Sequence, residues 1–207
     1  MRLILASASP RRAELLRAAG YAFEIVVADV DESIRPGEAP SVYVRRLAAD
    51  KSAAAQSGTA KAVPYVQETG TAKAAPYAGE PIFLGADTTV VVDGEILGKP
   101  RDDDEAAMML RRLSGRDHQV LTGVSLRQGA YEVGRVETTV VHVRALSEQE
   151  VGWYVGSKEG HGKAGAYAIQ GLASRFIPRI AGSYSNVVGL PVACVAELMT
   201  SLLASRL

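Results

Sequence analysis

The sequence predicts an α/β chain, and three observations predict it. The first apolar run, from Leu3 to Ala6, passes straight into a Ser-rich turn and a helix started by proline. Two later regions carry hairpin signals, one at Asp93-Gly94 and one near Gln128-Gly129. Between and after them lie segments with helical spacing and recognisable caps. At 207 residues the chain suits one domain with a full core, or two small lobes around a cleft.

In chain order, Leu3 to Ala6 reads as a short strand leading into Ser7-Ala8-Ser9-Pro10-Arg11-Arg12. Ser9 suits an N-cap and Pro10 the first helical position, so a helix is expected from Pro10 to about Ala19, stopped by Gly20. A helix N-terminus offers free N–H groups and partial positive charge, and two hydroxyls and two guanidinium groups are added here. This set suits phosphate oxygens; the alternative is a capped surface helix with two solvated arginines. Phe23 to Val27 reads as a second strand, followed by the acidic turn Asp29-Val30-Asp31-Glu32. Ser41 to Gln56 has helical spacing, on which Lys51 reads by default as a solvated lysine.

Residues 58 to 80 break the composition. Gly58-Thr59-Ala60-Lys61-Ala62-Val63-Pro64-Tyr65 recurs as Gly70-Thr71-Ala72-Lys73-Ala74-Ala75-Pro76-Tyr77, with Glu68 and Glu80 in step. Two copies are too few for a solenoid, so the segment reads as an exposed inserted loop, or alternatively as a lid or partner-binding arm.

The central stretch runs from Gly85 to Pro100. Ile82 to Leu84 and Val90 to Val92 are apolar, and Asp93-Gly94 turns the chain back through Glu95 to Leu97 toward Lys99. Asp87 is therefore expected inside a strand. A carboxylate there must be paired, bind a metal or act as a base, unless it ends the strand and bonds a neighbouring backbone group.

Asp102 and Glu105 have capping-box spacing at the head of a helix that ends near Leu113 and Gly115. Gln119 to Leu126 and Arg135 to Arg144 alternate as two antiparallel strands, and Ser147 with Glu150 heads a helix over about 148 to 155. His118, His142 and His161 are far apart and lack zinc-ligand spacing. The stretch from Gly162 to Gly171 is rich in small residues and carries one amide, Gln170, able both to donate and to accept at a base edge. Val192 to Leu203 reads as a C-terminal helix.

Composition narrows the function classes. Lys plus Arg (23) balances Asp plus Glu (23), so no net field draws the chain to nucleic acid or to an anionic membrane. The single Cys194 excludes an intramolecular disulfide framework and fits a reducing cytoplasm, the alternative being a secreted protein without disulfides. No stretch approaches the ~20 apolar residues of a membrane span, and the N-terminus is too short and too soon basic for a signal peptide.

Three separated motifs together resemble the Maf family of nucleoside triphosphate pyrophosphatases. They are Ala6-Ser7-Ala8-Ser9-Pro10-Arg11-Arg12; Gly85-Ala86-Asp87-Thr88 with Gly98-Lys99-Pro100; and Lys163 to Gly171 with Gly182-Ser183-Tyr184 and Asn186 to Pro191. The departure is the 58 to 80 duplication, longer than the connection expected there. The resemblance implies a central mixed sheet flanked by helices, two lobes around a nucleotide cleft, and hydrolysis of a triphosphate to monophosphate and pyrophosphate with Mg²⁺ or Mn²⁺. By position, Asp87 matches the catalytic proton acceptor, and Arg11, Thr88 and Gln170 match positions linked to substrate choice. The run through Gln170 and Asn186-Val187-Val188 is similar to the branch acting on dTTP and UTP.

On that reading Ser7, Ser9, Arg11 and Arg12 hold phosphate oxygens, Lys51 and Lys99 close from the other side, and Asp87 with Glu32 holds the metal. The expected partner is a nucleoside triphosphate, without nucleic acid or membrane; a homodimer is compatible with the reading and not required by it. Two alternatives are a nucleotide-binding regulator of cell division that does not hydrolyse, and the same hydrolysis on modified purine nucleotides such as 7-methyl-GTP.

Overall fold

The run from Ile82 to Val92 forms one unbroken strand, with Asp87 at its middle rather than at its end. The computed structural model describes residues 2–59 and 80–204 and the backbone of 61–62; the expected 58–80 loop, apart from its ends, lies outside the described residues. Around that strand the sheet is built from β1 (Leu3–Leu5), β2 (Phe23–Val27), β3 (Lys61–Ala62), β4 (Ile82–Val92), β5 (Glu95–Leu97), β6 (Arg116–Gln128), β7 (Tyr131–Val143) and β8 (Arg179–Ala181). The order is β3-β2-β1-β4-β6-β7-β8, with β5 also paired to β4. β1 runs parallel to β2 and β4, and the remaining pairs are antiparallel, so the sheet is mixed.

The pairing of β4 opens the cleft. β6 follows one edge of β4 from Phe83 to Val91. The other edge is divided: β1 takes Ile82 to Leu84 and β5 takes Val90 to Val92. Gly85 to Thr89 have no strand beside them on that edge among the described residues. Side chains from both faces of β4 can therefore reach one gap, at the carboxyl end of β1, where open α/β sheets place ligands.

The helices are α1 (Pro10–Ala18), α2 (Pro40–Gln56), α3 (Asp103–Leu113), α4 (Glu148–Gly156), α5 (Tyr184–Val188) and α6 (Val192–Ala204). On one face of the sheet Leu3, Leu5, Leu84, Ala86, Val124 and Leu126 pack with α1 and α6. Farther along the same face Val90, Val92 and Val120 pack with α3 and α4. Between these cores Thr88 faces Thr122 across the β4–β6 register, their hydroxyls 2.9 Å apart. Two hydroxyls cut an otherwise apolar ladder, and two lobes form around the cut.

The opposite face is covered by α2, which lies unusually close. A Cβ at Gly85 would sit 2.1 Å from the Ala48 carbonyl oxygen, and one at Gly123 would sit 2.1 Å from that of Val44. Only glycine permits this approach.

Local details depart from the sequence reading in three places. Ser9 occupies the N-cap position of α1 without a side-chain cap bond; its amide instead donates to Ser7 Oγ at 3.2 Å. At α3 only half the capping box forms, because Glu105 turns its carboxylate to the amide of Arg101, whereas the Ser147–Glu150 box on α4 is complete. β8 and α5 were not anticipated. A three-residue strand offers too little alternation, and α5 is set by its Ser183 cap. Among the described residues no helix is long and apolar enough to cross a membrane.

His118 is buried on β6, with Nε2 2.8 Å from the Tyr167 hydroxyl. Burial pushes its pKa down to about 4, so the ring is neutral in the fold and takes up a proton only when the chain unfolds. Stability should therefore fall as pH drops from about 6.5 to about 4, by about 3 kcal/mol from this group. Urea unfolding across that window measures the slope, which should flatten in His118→Gln.

Candidate active site

A cleft of about 690 Å³ opens at the gap in β4. Ser7, Ser9, Arg11, Arg12, Glu32, Lys51, Asp87, Thr88, Lys99 and Gln170 all line it, so every site residue expected from the sequence comes to one place.

The turn between β1 and α1 is organised by Arg12. This guanidinium is buried and donates to the Gly189 carbonyl at 2.8 Å, to Ser7 Oγ at 3.1 Å and to Thr88 Oγ1 at 3.1 Å. Burial lowers its pKa, partly offset by the charge of Asp87. Arg12 thus ties both lobes together at the phosphate-suited turn. The more accessible Arg11 makes no hydrogen bond or ion pair among the described residues and is available to a ligand.

Asp87 and Thr88 are consecutive and point to opposite faces, as strand geometry requires. Thr88 meets Arg12 from α1; Asp87 meets Lys51 from α2. Lys51 is 7 % exposed, which corrects the solvated reading, and its ammonium lies 2.7 Å from Asp87 Oδ1 and 2.6 Å from Glu32 Oε1. Helical spacing alone could not reveal this burial, since it follows from the close seat of α2 over Gly85. Lys51 is also less free to reach phosphate than expected, because two carboxylates already engage it.

Burial alone would raise the pKa of Glu32, but Lys51, Lys99 and Arg12 bring it below the usual carboxylate value. The carboxylates of Asp87 and Glu32 converge on the ammonium of Lys51. Hard divalent cations are held by one or two such carboxylates together with phosphate oxygens, so the donor set of Asp87 and Glu32 fits Mg²⁺ or Mn²⁺.

The segment bearing Glu32 is held by residues the sequence reading missed. Tyr43 donates its hydroxyl to the Glu32 carbonyl at 3.0 Å, and burial with nearby Asp87 and Glu32 pushes its pKa up to about 12. Arg46 donates to the Ser33 carbonyl at 3.0 Å and to the Asp31 carbonyl at 3.4 Å, while pairing with Glu38. Three successive carbonyls are thus taken by side chains of α2, one to two turns before Lys51. The one available signal was their polarity on a helix already carrying Lys51.

At the mouth, Lys99 and Gln170 are exposed. Lys163, also missed, lines the cleft and donates to the Glu159 carbonyl. Burial and the neighbouring charge of Arg11 lower its pKa. The cleft thus has a cationic rim at Arg11, Lys99 and Lys163, with the carboxylates at its floor.

The chain matches the family described as Maf-like protein over residues 2–202. It is 49% identical over 193 residues to a protein of Hahella chejuensis named dTTP/UTP pyrophosphatase, covering 92% of this chain and 87% of that one. A protein of Anaeromyxobacter dehalogenans with the same name is 47% identical, with coverages of 96% and 92%. Another of that name, from Escherichia coli K12, is 43% identical, with coverages of 99% and 94%. By a match that spans nearly its whole length, the chain belongs to the Maf-like protein family.

Proposed function

We propose that the chain hydrolyses nucleoside triphosphates, dTTP and UTP foremost, to the monophosphate and pyrophosphate. The observation that carries this reading is the single cleft in which phosphate donors from the β1–α1 turn face a buried carboxylate, Asp87. Relatives named dTTP/UTP pyrophosphatase at 43% to 49% identity support the reaction and the choice of base.

In this mechanism Ser7, Ser9, Arg11 and the N-terminus of α1 bind the phosphate chain, and Arg12 holds their turn in register with Thr88. Lys99 and Lys163 add positive charge at the rim, favouring the polyanion and the departing pyrophosphate. Asp87, fixed at Oδ1 by Lys51, accepts the proton of the water that attacks the α-phosphorus. The P–O bond to the β-phosphate breaks, and pyrophosphate leaves with the negative charge. A divalent cation held by Asp87 and Glu32 would, when bound, neutralise charge on the phosphate oxygens. Gln170 reads the base edge. A cytoplasmic location agrees with the single cysteine, which is free and buried.

The test is product analysis on dTTP, UTP, CTP, dATP, GTP and 7-methyl-GTP with Mg²⁺ or Mn²⁺. Pyrophosphate rather than orthophosphate is expected, fastest from dTTP and UTP. Tight binding without release would replace hydrolysis by sensing, and preference for 7-methyl-GTP would move the chain to purine substrates.

A further inference from the structure

Gln170 is exposed at the cleft mouth, yet the backbone on both sides of it is tied to two side chains that do not line the cleft. Tyr154, on α4 and 1 % exposed, donates its hydroxyl to Glu159 Oε2 at 2.7 Å and accepts the Ala168 amide at 3.1 Å. Glu159 Oε1 accepts the Leu172 amide at 2.9 Å, and Oε2 the Ala173 amide at 3.4 Å. The amide of Gly171 closes the turn on the Ala168 carbonyl at 3.1 Å. A Cβ at Gly171 would lie 2.0 Å from Glu159 Oε1, so the approach of this carboxylate requires glycine there.

We propose that Tyr154 and Glu159 are positioning residues that fix the Gln170 loop and, through it, the choice of base. The inference rests on the base-reading role given above to Gln170. An exposed amide discriminates between base edges only if its backbone is held, because its own side chain has no protein partner among the described residues. The Glu159 carboxyl group suits that purpose because its two oxygens accept from three donors at once, the Tyr154 hydroxyl and the Leu172 and Ala173 amides. Burial and the bond to Glu159 raise the Tyr154 pKa, keeping the phenol protonated as the donor in the relay. Glu159→Gln would turn an NH₂ group toward one of the donors that Glu159 satisfies.

The experiment compares kcat/KM for dTTP and dCTP in wild type, Gln170→Ala, Tyr154→Phe, Glu159→Gln and the double variant Tyr154→Phe/Gln170→Ala. Tyr154→Phe keeps the packed ring and should lower the dTTP-over-dCTP ratio roughly three- to tenfold, the scale of one lost hydrogen bond, chiefly through KM. In the Gln170→Ala background the same change should have no further effect on the ratio. A uniform fall in kcat for both nucleotides, or additive effects in the double variant, would overturn the proposal. If Gln170→Ala itself leaves the ratio unchanged, base reading by Gln170 fails and the selectivity claim with it. Amide exchange over residues 168–173, expected to quicken in Tyr154→Phe and Glu159→Gln, then separates that failure from failure of the anchor.

Discussion

Asp87→Asn should fold normally and lose about three orders of magnitude in kcat, the range over which a positioned general base acts. Asn has nearly the shape of Asp and can still accept the Lys51 ammonium, which also keeps Glu32 at 2.6 Å. The loss of stability should therefore stay within about 1–2 kcal/mol, far from the cost of stranding a buried charge. The amide cannot take a proton from water, and it withdraws one of the two charges offered to a cation. KM for dTTP should change much less than kcat, because the β1–α1 turn and the rim cations are untouched. Steady-state pyrophosphate release, with urea unfolding of the same preparation, checks both halves. A variant that keeps more than about a tenth of the wild-type rate would remove Asp87 as the base, whatever its stability.

That Asp87 sits inside a strand and needs a partner was legible in the sequence, because an ionisable residue between apolar runs has few inexpensive fates. The Ser-rich turn and Pro10 likewise announced a helix N-terminus, and it faces the cleft. Other parts depend on long-range register, which local pattern does not encode. Thr88 stands in the sequence between two other polar residues, Asp87 and Thr89, and its role in dividing two cores appears only when Thr122 is placed opposite it. Lys51 lies on an amphipathic helix and looks solvated, yet it is buried where α2 comes down on Gly85 of β4. Tyr43, Arg46 and Glu159 act on backbone groups, so no motif of reacting side chains would include them. Gly85 was visible only as the neighbour of Asp87, and its function is to seat a helix.

That seat yields the second large effect, Gly85→Ala. The added methyl carbon would meet the Ala48 carbonyl oxygen at 2.1 Å and the Ser52 amide nitrogen at 2.7 Å, both backbone atoms of α2. Neither can rotate away, so the helix must lift from β4 or the strand must bend. Overpacking of this kind costs about 1–3 kcal/mol. The catalytic cost should be larger than the stability cost suggests. Lys51 lies on α2 between the displaced contacts and Asp87, and its 2.7 Å bond to Asp87 is the first to lengthen. Misplacement by about 1 Å lowers rates by about 10²-fold when a reacting group must be held in position. Gly123→Ala is the control. It meets the Val44 carbonyl oxygen at the same 2.1 Å, two turns of α2 before Lys51, and should destabilise similarly. If the Lys51–Asp87 contact sets the rate, Gly85→Ala should lose about tenfold more activity than Gly123→Ala at equal loss of stability. Equal rates in two equally destabilised variants would show that the seat of α2 serves folding alone, and that Asp87 needs no fixed partner.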